Sequence, residues 1–500
     1  MNEQQQAVFD NVMYNLNQQR GKTTITVDAD AGVGKTYVAA ATVKGALSLG
    51  YHVAAIAFTN LNADEFAARV NDNRAVILTS HKLGMRQFPN GRVNVTDTVL
   101  DLYFKGQGVK NIKGAFRLLS LAKANLLTAA EQLHETVDRW QLKKISTNDI
   151  GVVHNALQMF NPKTPHVDDL IYYPSVKGWA KDQFDLIVVD EYQDQTPALL
   201  KMLDNLLSPN GVLLCVGDRK QAIFGFRGAY FQDIPNAVNY PITITYRHGQ
   251  GICSFVNGEF GTNTSSGIDR VSTVNYVNEV VHDVEGMVVS RTNAALVPIA
   301  IKAIAQGQAV YLTNKYLLEK MLMLLLSVSH NETCPNCQNE LVVRKRVKGW
   351  GDPYFLACGA WPKGCKKGHA VFTWDKLPAN EVLTTVKATL LNNREDADDA
   401  GDVDRIDDEI AVFEWLLTNY SVGDAYAQLL KVSQSTGGMM LTTCHRAKGL
   451  EATNVYVLEK TFKDALNRAI DDDNPEQVKQ EHNLRYVAYT RAKDNLYLVK

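Results

Sequence analysis

The chain lacks an excess of charge of either sign: Lys+Arg number 52 and Asp+Glu 54, for a net charge of -2 over 500 residues. That excludes a global electrostatic pull toward nucleic acid or an anionic membrane, so any nucleic-acid site must be a local patch. Long apolar runs are also missing. The run Met321 to Leu326 is far shorter than a membrane span. The polar start MNEQQQAVFD has no signal-peptide core, so an intracellular, cytoplasmic protein without membrane anchorage is expected. Cysteine is scarce, and the seven present do not form a disulfide pattern. Cys215, Cys253 and Cys444 sit singly in apolar surroundings and read as buried small hydrophobes. What is present is an ordinary globular composition, 45% hydrophobic and 21% charged. The length calls for roughly two to four domains.

Short β-branched runs alternate with helical stretches. Thr24–Asp28, Tyr51–Phe58, Arg74–Leu78, Asp185–Val189 and Val212–Val216 read as strands, and a helix is expected from about Lys35 to Leu49. Such alternation argues for a parallel sheet covered on both faces. Residues 96–170, rich in Leu, Ala, Lys and Gln, read as a helical insertion. A second α/β run begins near Pro241, with strands expected at Gly286–Ser290, Gln308–Thr313, Met439–Thr443, Asn454–Glu459 and Asn495–Val499. A second insertion interrupts it at about 331–435. That insertion has a basic half (Arg344, Lys345, Arg346, Lys348, Lys363, Lys366, Lys367) and an acidic run at 395–409, which reads as a solvated loop or helix face.

Between the first strand and its helix lies Ala31-Gly32-Val33-Gly34-Lys35-Thr36. A strand, a Gly-rich loop and a helix place backbone N–H groups and a helix N-terminus around phosphates. Gly32 and Gly34 allow close backbone approach, Lys35 supplies a point charge for the terminal phosphates, and the Thr36 hydroxyl suits Mg²⁺. Asp190 and Glu191 follow Leu186-Ile187-Val188-Val189, at a strand's C-terminal end, where ligands bind in open α/β sheets. One of the two carboxylates is expected in the Mg²⁺ shell, and its neighbour, pointing elsewhere, is expected to orient or deprotonate the attacking water.

At these residues the chain resembles the UvrD/Rep family of superfamily 1 DNA helicases. Gln4 with Ala7-Val8 resembles the Q motif. Residues 31–36 resemble motif I, with Asp30 where Gly is common. Phe58-Thr59-Asn60 and Thr79-Ser80-His81 resemble the DNA-contacting motifs that follow, and Asp190-Glu191-Tyr192-Gln193-Asp194 is similar to DEFQD. Gly217 to Ala229 resembles GDxxQSIYGWRGA, with Phe226 replacing Trp, and Tyr246-Arg247 resembles NYR, with Thr245 replacing Asn. His445 to Glu451 and Leu484 to Ala492 resemble motifs V and VI.

The resemblance implies two RecA-like parallel-sheet domains of the P-loop NTPase class. It implies an ATP- and Mg²⁺-dependent helicase or translocase on single-stranded or tailed DNA, moving 3′ to 5′, in DNA repair, recombination or replication. Repair or replication proteins would be its partners, and association with the nucleoid would follow. Gln4 would read adenine and Tyr246 would stack near the base. Gln221 would sense the γ-phosphate, Arg247 and Arg491 would reach it, and Glu451 would lie near the ribose. Phe58, His81, Phe226 and Arg227 would touch single-stranded DNA. Two rivals are a DNA-stimulated ATPase that remodels complexes without unwinding, and a zinc-ribbon DNA-binding module with a degenerate ATPase. With Lys500 straight after motif VI, an appended nuclease is not expected.

Cys334-Pro-Asn-Cys337 is followed by Cys358 and Cys365. A CxxC knuckle with a second cysteine pair suits tetrahedral Zn²⁺, and four thiolates would close the shell, making the site structural. His369 is a weaker substitute for Cys365 by spacing. The segment resembles the zinc ribbon at the C-terminal ends of bacterial type I topoisomerases. Its basic residues, with Trp350, Tyr354, Phe355 and Trp361, suit a single-stranded nucleic-acid platform. The domains expected are therefore 1–95 with 171–240, a helical insertion at 96–170, 241–330 with 436–500, a zinc ribbon at 331–376, and a reduced helical insertion at 377–435.

Overall fold

The computed structural model describes all residues except 19, 90, 92, 141, 224, 226–232, 282–285, 330–332, 335–336, 346–352, 361–364, 366–377 and 396–399. The expected apolar runs form strands. β1 (Thr23–Ala29), β2 (Val53–Ala57), β3 (Val76–Thr79), β4 (Phe184–Asp190), β5 (Leu207–Gly217) and β6 (Val238–Ile242) make one sheet in the order β3-β2-β4-β5-β1-β6. Its pairings are parallel. Alternate side chains of β4 enter different cores, as a strand period of two requires. Leu186 and Val188 pack with Val8 and Val12 of the helix Glu3–Gln18 and with Val38 and Val43 of the helix Lys35–Ser48. Ile187 and Val189 pack with Leu83, Leu199 and Met202. Burial on both faces is why these strands carry unbroken apolar runs rather than alternation.

β6 was not legible in the sequence. It is largely exposed and contains Pro241, both of which fit an edge strand. The segment expected as a helical insertion forms helices Thr98–Gly106, Ile112–Ala124, Ala130–Arg139 and Thr147–Leu157, and a further helix, Asp169–Lys177, begins at its end. The first four share a core of their own around Phe104, Leu118, Leu119 and Val153.

The remaining strands are β7 (Ile244–Thr245), β8 (Ser265–Ser266), β9 (Thr273–Val277), β10 (Met287–Ser290), β11 (Val310–Leu312), β12 (Leu341–Lys345), β13 (Tyr354–Cys358), β14 (Met439–Thr443), β15 (Ala452–Leu458) and β16 (Ala492–Val499). A second sheet runs β11-β14-β10-β15-β16-β9, and β12 with β13 forms an antiparallel hairpin. β10 pairs parallel with both β14 and β15. Both sheets belong to a mixed α/β fold with parallel strands. No helix among the described residues is long and apolar enough to cross a membrane.

The chain divides into two compact units. The first holds Met1–Val274 with Arg468–Asn495, and the second holds most of 275–467 with Leu496–Lys500. Residues 241–274 and 468–495, expected in the second α/β domain, thus group with the first. The cause is local: β6 is zipped along β1, and the helix Pro475–Tyr489 packs on the turn Arg219–Gln221.

Within the second unit, helices Ala379–Glu395, Ala400–Asn419 and Val422–Gln434 occupy the reduced helical insertion. They share a core with the sheet, where Val386, Phe413 and Leu429 meet Leu318, Leu322 and Leu441. The acidic run is not a solvated face throughout. Asp404 pairs with Arg291 at 3.3 Å. Glu409, buried, pairs with Lys320 at 2.7 Å. Asp408 accepts from the backbone N–H groups of Asn293 at 2.8 Å and Ala294 at 2.7 Å.

Candidate functional site

β1 ends at Ala29, and the chain turns through Gly32 (φ 75°) and Gly34 (φ 82°) into the helix Lys35–Ser48. The left-handed region is cheap only for glycine. Gly32 has a second reason to be glycine: a Cβ there would lie 2.5 Å from Arg247 Cβ. The loop is gripped from several sides. Gln5 Nε2 donates to Val33 O at 2.9 Å, Thr245 Oγ1 donates to Ala31 O at 2.8 Å, and Tyr246 N donates to Gly32 O at 2.9 Å.

Lys35 Nζ lies 3.3 Å from the carbonyl oxygens of Ala29 and Asp30 and 3.8 Å from Asp218 Oδ2. Thr36 Oγ1 donates to Asp190 Oδ2 at 2.9 Å. Asp190 and Asp218 stand at the ends of neighbouring strands, β4 and β5. Burial raises the pKa of both carboxyls; for Asp190 the next cause is the neighbouring charge of Glu191. Both groups are therefore poised to gain from a cation brought beside them. Thr36 and Asp190 together offer a hydroxyl and a carboxylate, hard oxygen donors of the kind Mg²⁺ takes.

Glu191 sits at φ 55°, a left-handed conformation that costs a non-glycine residue on the order of 1–3 kcal/mol. Gln193 fixes it: its Nε2 donates to Glu191 Oε2, and its Oε1 accepts from Asp218 N at 3.0 Å. The two acids at the end of β4 thus point to different partners. Asp190 turns to Thr36, and Glu191 turns to Gln193. Gln221 Nε2 donates to Asp218 Oδ2 at 2.7 Å.

Arg247 and Arg491 meet at Thr490. Arg247 Nη1 donates to Thr490 O at 2.9 Å, and Arg491 Nη2 donates to Thr490 Oγ1 at 3.1 Å. Arg491 is almost wholly buried. His248, buried beside them, is held near pKa 3 by burial and by the charges of both arginines. Its neutral ring adds no positive charge to the cluster.

Gln4 holds Thr243 through two bonds, to its hydroxyl at 3.1 Å and from its N–H at 3.0 Å. Tyr246 is 43% exposed, enough to offer a ring face, and its hydroxyl accepts from Asn2 Nδ2 at 3.0 Å. Phe58 follows β2, and His81 lies one residue into the helix that follows β3. The strand ends are paired, Ala57 to Thr79, so both residues leave the sheet on the same edge. Burial lowers the His81 pKa. Glu451 precedes β15 in the second unit and is exposed. Phe226 and Arg227 lie outside the described residues, as do Arg346, Lys348, Trp350, Trp361, Lys363, Lys366, Lys367 and His369.

Sequence reasoning gave no role to Gln5, Asp218, Thr245, Tyr486 or Thr490. Two of these had a signal. Gln5 shares the buried face of its helix with Val8, Val12 and Leu16, an odd place for an amide. Asp218 follows a buried strand as Asp190 does.

In the second unit the Sγ atoms of Cys334, Cys337, Cys358 and Cys365 all lie within 4.8 Å of one another. The β12–β13 hairpin brings Cys358 opposite Leu341, and a turn returns Cys334 beside it. The set is all thiol, three of its four members are buried, and the spacing is that of a single ion's shell.

The fold and this site define a mixed α/β protein whose first parallel sheet ends in a phosphate-loop sequence faced by two acids and two arginines. The comparisons narrow that class. Residues 150–240 match the UvrD/REP helicase N-terminal domain and residues 390–500 the UvrD-like helicase C-terminal domain. The first match includes Asp190, Glu191, Asp218 and Gln221; the second includes Glu451, Tyr486 and Arg491. The chain is 28% identical over 311 residues to the ATP-dependent DNA helicase PcrA of Staphylococcus aureus, covering 53% of this chain and 42% of that one. It is 23% identical over 420 residues to PcrA of Leuconostoc citreum, covering 65% and 55%. A stretch of 88 residues is 36% identical to the putative ATP-dependent DNA helicase YjcD of Bacillus subtilis, covering 16% and 12%. The chain spans about half the length of the PcrA relatives it matches.

Proposed function

We propose that the chain is a UvrD-type ATP-dependent DNA helicase or translocase, moving 3′ to 5′ on single-stranded DNA in repair, recombination or replication. One observation carries the reading. Lys35, the Thr36–Asp190 pair, Asp218 with Gln221, and the arginines joined at Thr490 gather about one glycine turn.

In this reading ATP lies on the loop. Lys35 leaves Asp218 for the terminal phosphates, and Thr36 and Asp190 hold Mg²⁺, which would neutralise phosphate charge. Glu191, kept apart from Asp190 by Gln193, orients the attacking water and accepts its proton. Gln221 reports the γ-phosphate, and Arg247 and Arg491 meet the charge that develops on it. Gln4 and Tyr246 take the adenine, and Glu451 the ribose. Phe58, His81, Phe226 and Arg227 grip the DNA strand, aromatic faces being tolerant of sequence. The four cysteines hold structural Zn²⁺ in a ribbon that adds a DNA platform. The protein works in the cytoplasm or on the nucleoid with repair or replication partners.

ATPase rate with and without single-stranded DNA, strand displacement on a 3′-tailed duplex, and zinc content test the whole reading. Expected are DNA-stimulated hydrolysis, unwinding from the 3′ tail, and zinc that is lost in Cys334→Ser. Hydrolysis without strand displacement selects the remodelling ATPase instead. No DNA response at all selects the DNA-binding module with a degenerate ATPase.

A further inference from the structure

Ala31 opens the phosphate loop, and both of its peptide groups are engaged by side chains far away in sequence. Its carbonyl accepts from Thr245 Oγ1. Its N–H donates to the Tyr486 hydroxyl at 3.1 Å across 455 residues of chain. That hydroxyl in turn donates to Asp218 Oδ2 at 3.3 Å, the carboxylate oxygen that also takes Gln221 and faces Lys35. Tyr486 is 1% exposed, so neither bond competes with bulk water.

The same residue is bonded to the arginines through its backbone. Tyr486 O accepts from Thr490 N at 3.1 Å and from Thr490 Oγ1 at 2.9 Å. Thr490 Oγ1 accepts from Arg491, and Thr490 O accepts from Arg247. One chain of contacts therefore runs Lys35, Asp218, Tyr486, Thr490, and then both guanidinium groups.

We propose that Tyr486 is a positioning residue that sets the two arginines according to the occupancy of the phosphate loop. The inference rests on the ATPase reading above and adds a part to it. With the loop empty, the Asp218 carboxylate has the Lys35 ammonium as counter-charge. When Lys35 moves to a phosphate, that counter-charge is withdrawn from a buried carboxylate. The two remaining side-chain donors, Gln221 and Tyr486, then carry more of its stabilisation, and charge-assisted bonds shorten. A tightened Tyr486 pulls on the last turn of its helix, and Thr490 transmits the shift to Arg491 and Arg247. A helix turn is stiff enough to carry such a displacement without dissipating it.

Tyr486→Phe keeps the ring and removes only the hydroxyl. Expected is a fall in kcat of about tenfold with the KM for ATP nearly unchanged, because the arginines act on the transition state rather than on bound ATP. In the double variant with Asp218→Asn, the loss should be no larger than in Asp218→Asn alone, since Asp218→Asn already removes the buried charge to which the Tyr486 hydroxyl responds. Hydrogen exchange gives a readout that needs no turnover. Adding AMPPNP with Mg²⁺ should increase protection of the amides at 486–491 in the wild type, and should leave them unchanged in Tyr486→Phe and in Asp218→Asn. Should Tyr486→Phe fail to fold, Asp218→Asn alone decides the exchange experiment, because it leaves the ring in place. An unchanged kcat, additive losses in the double variant, or an AMPPNP response that persists in either variant would overturn the proposal. A wild type that hydrolyses no ATP rejects the ATPase reading, and the exchange result then still decides whether the loop and the arginines communicate.

Discussion

After β1 in the first unit the chain turns through Gly32 and Gly34 into the helix Lys35–Ser48. After β10 in the second it turns through Arg291, Thr292 and Asn293 into the helix Leu296–Ala305. Both are parallel strands inside six-stranded sheets, and both feed a helix whose N-terminus favours negative charge. In the second unit that preference is met from within. The Asp408 carboxylate takes the N–H groups of Asn293 and Ala294, and the turn carries no glycine. In the first, Lys35 and the positive-φ glycines occupy the equivalent place. The architecture alone makes an anion site at either strand end; what decides between an outside phosphate and an internal carboxylate is which side chains the rest of the unit delivers there.

Lys35→Ala is the hardest test of the first half of this contrast. It should lower DNA-stimulated ATPase by about a hundredfold or more, the range seen when one donor to a developing charge is removed. Steady-state hydrolysis measures it, and near-normal turnover would mean that the glycine turn is not where ATP reacts. Asp408→Ala attacks the other half. It leaves two backbone N–H groups without their acceptor and should cost about 1–3 kcal/mol of stability, read as a lower denaturant midpoint. Inorganic phosphate should recover part of that loss in the variant and do little in the wild type; equal phosphate effects would deny that Asp408 stands where an anion would sit.

The smallest effect concerns pH. Burial and the charge of Glu191 raise the Asp190 pKa, so the ionised form that the proposed Mg²⁺ site requires is lost as pH falls through that raised value. Glu191→Gln removes the neighbouring charge, which lowers the Asp190 pKa. Mg²⁺-dependent nucleotide binding by this variant should therefore persist to lower pH than in the wild type. A binding midpoint that does not move, or moves up, would show that the two carboxylates are not coupled.

Much of the site was legible because its parts are local. Lys35 and Thr36 follow two glycines after an apolar strand, and Asp190 and Glu191 end another; strand, loop and helix geometry fix such neighbours within a few residues. The four cysteines were legible for the same reason, since hairpin spacing brings Cys358 back to Cys337. The role of Asp218 was not, because nothing near it in sequence says that Lys35 will lie 3.8 Å away. Nor was the acidic run. Its composition reads as a solvated face, and only the packing of the helix Ala400–Asn419 turns Asp404, Asp408 and Glu409 onto Arg291, Asn293 and Lys320.

Sequence by itself determined the apolar parallel strands, the glycine turn, the paired acids and the cysteine quartet, because each depends on side-chain period or on spacing along short stretches of chain. Tertiary structure alone decided that Thr245, Tyr486 and Thr490 would join the phosphate loop to the arginines, and that residues 241–274 and 468–495 would group with the first unit. Those contacts close loops of hundreds of residues. Their geometry is set by which surfaces bury together, and no local periodicity records that choice.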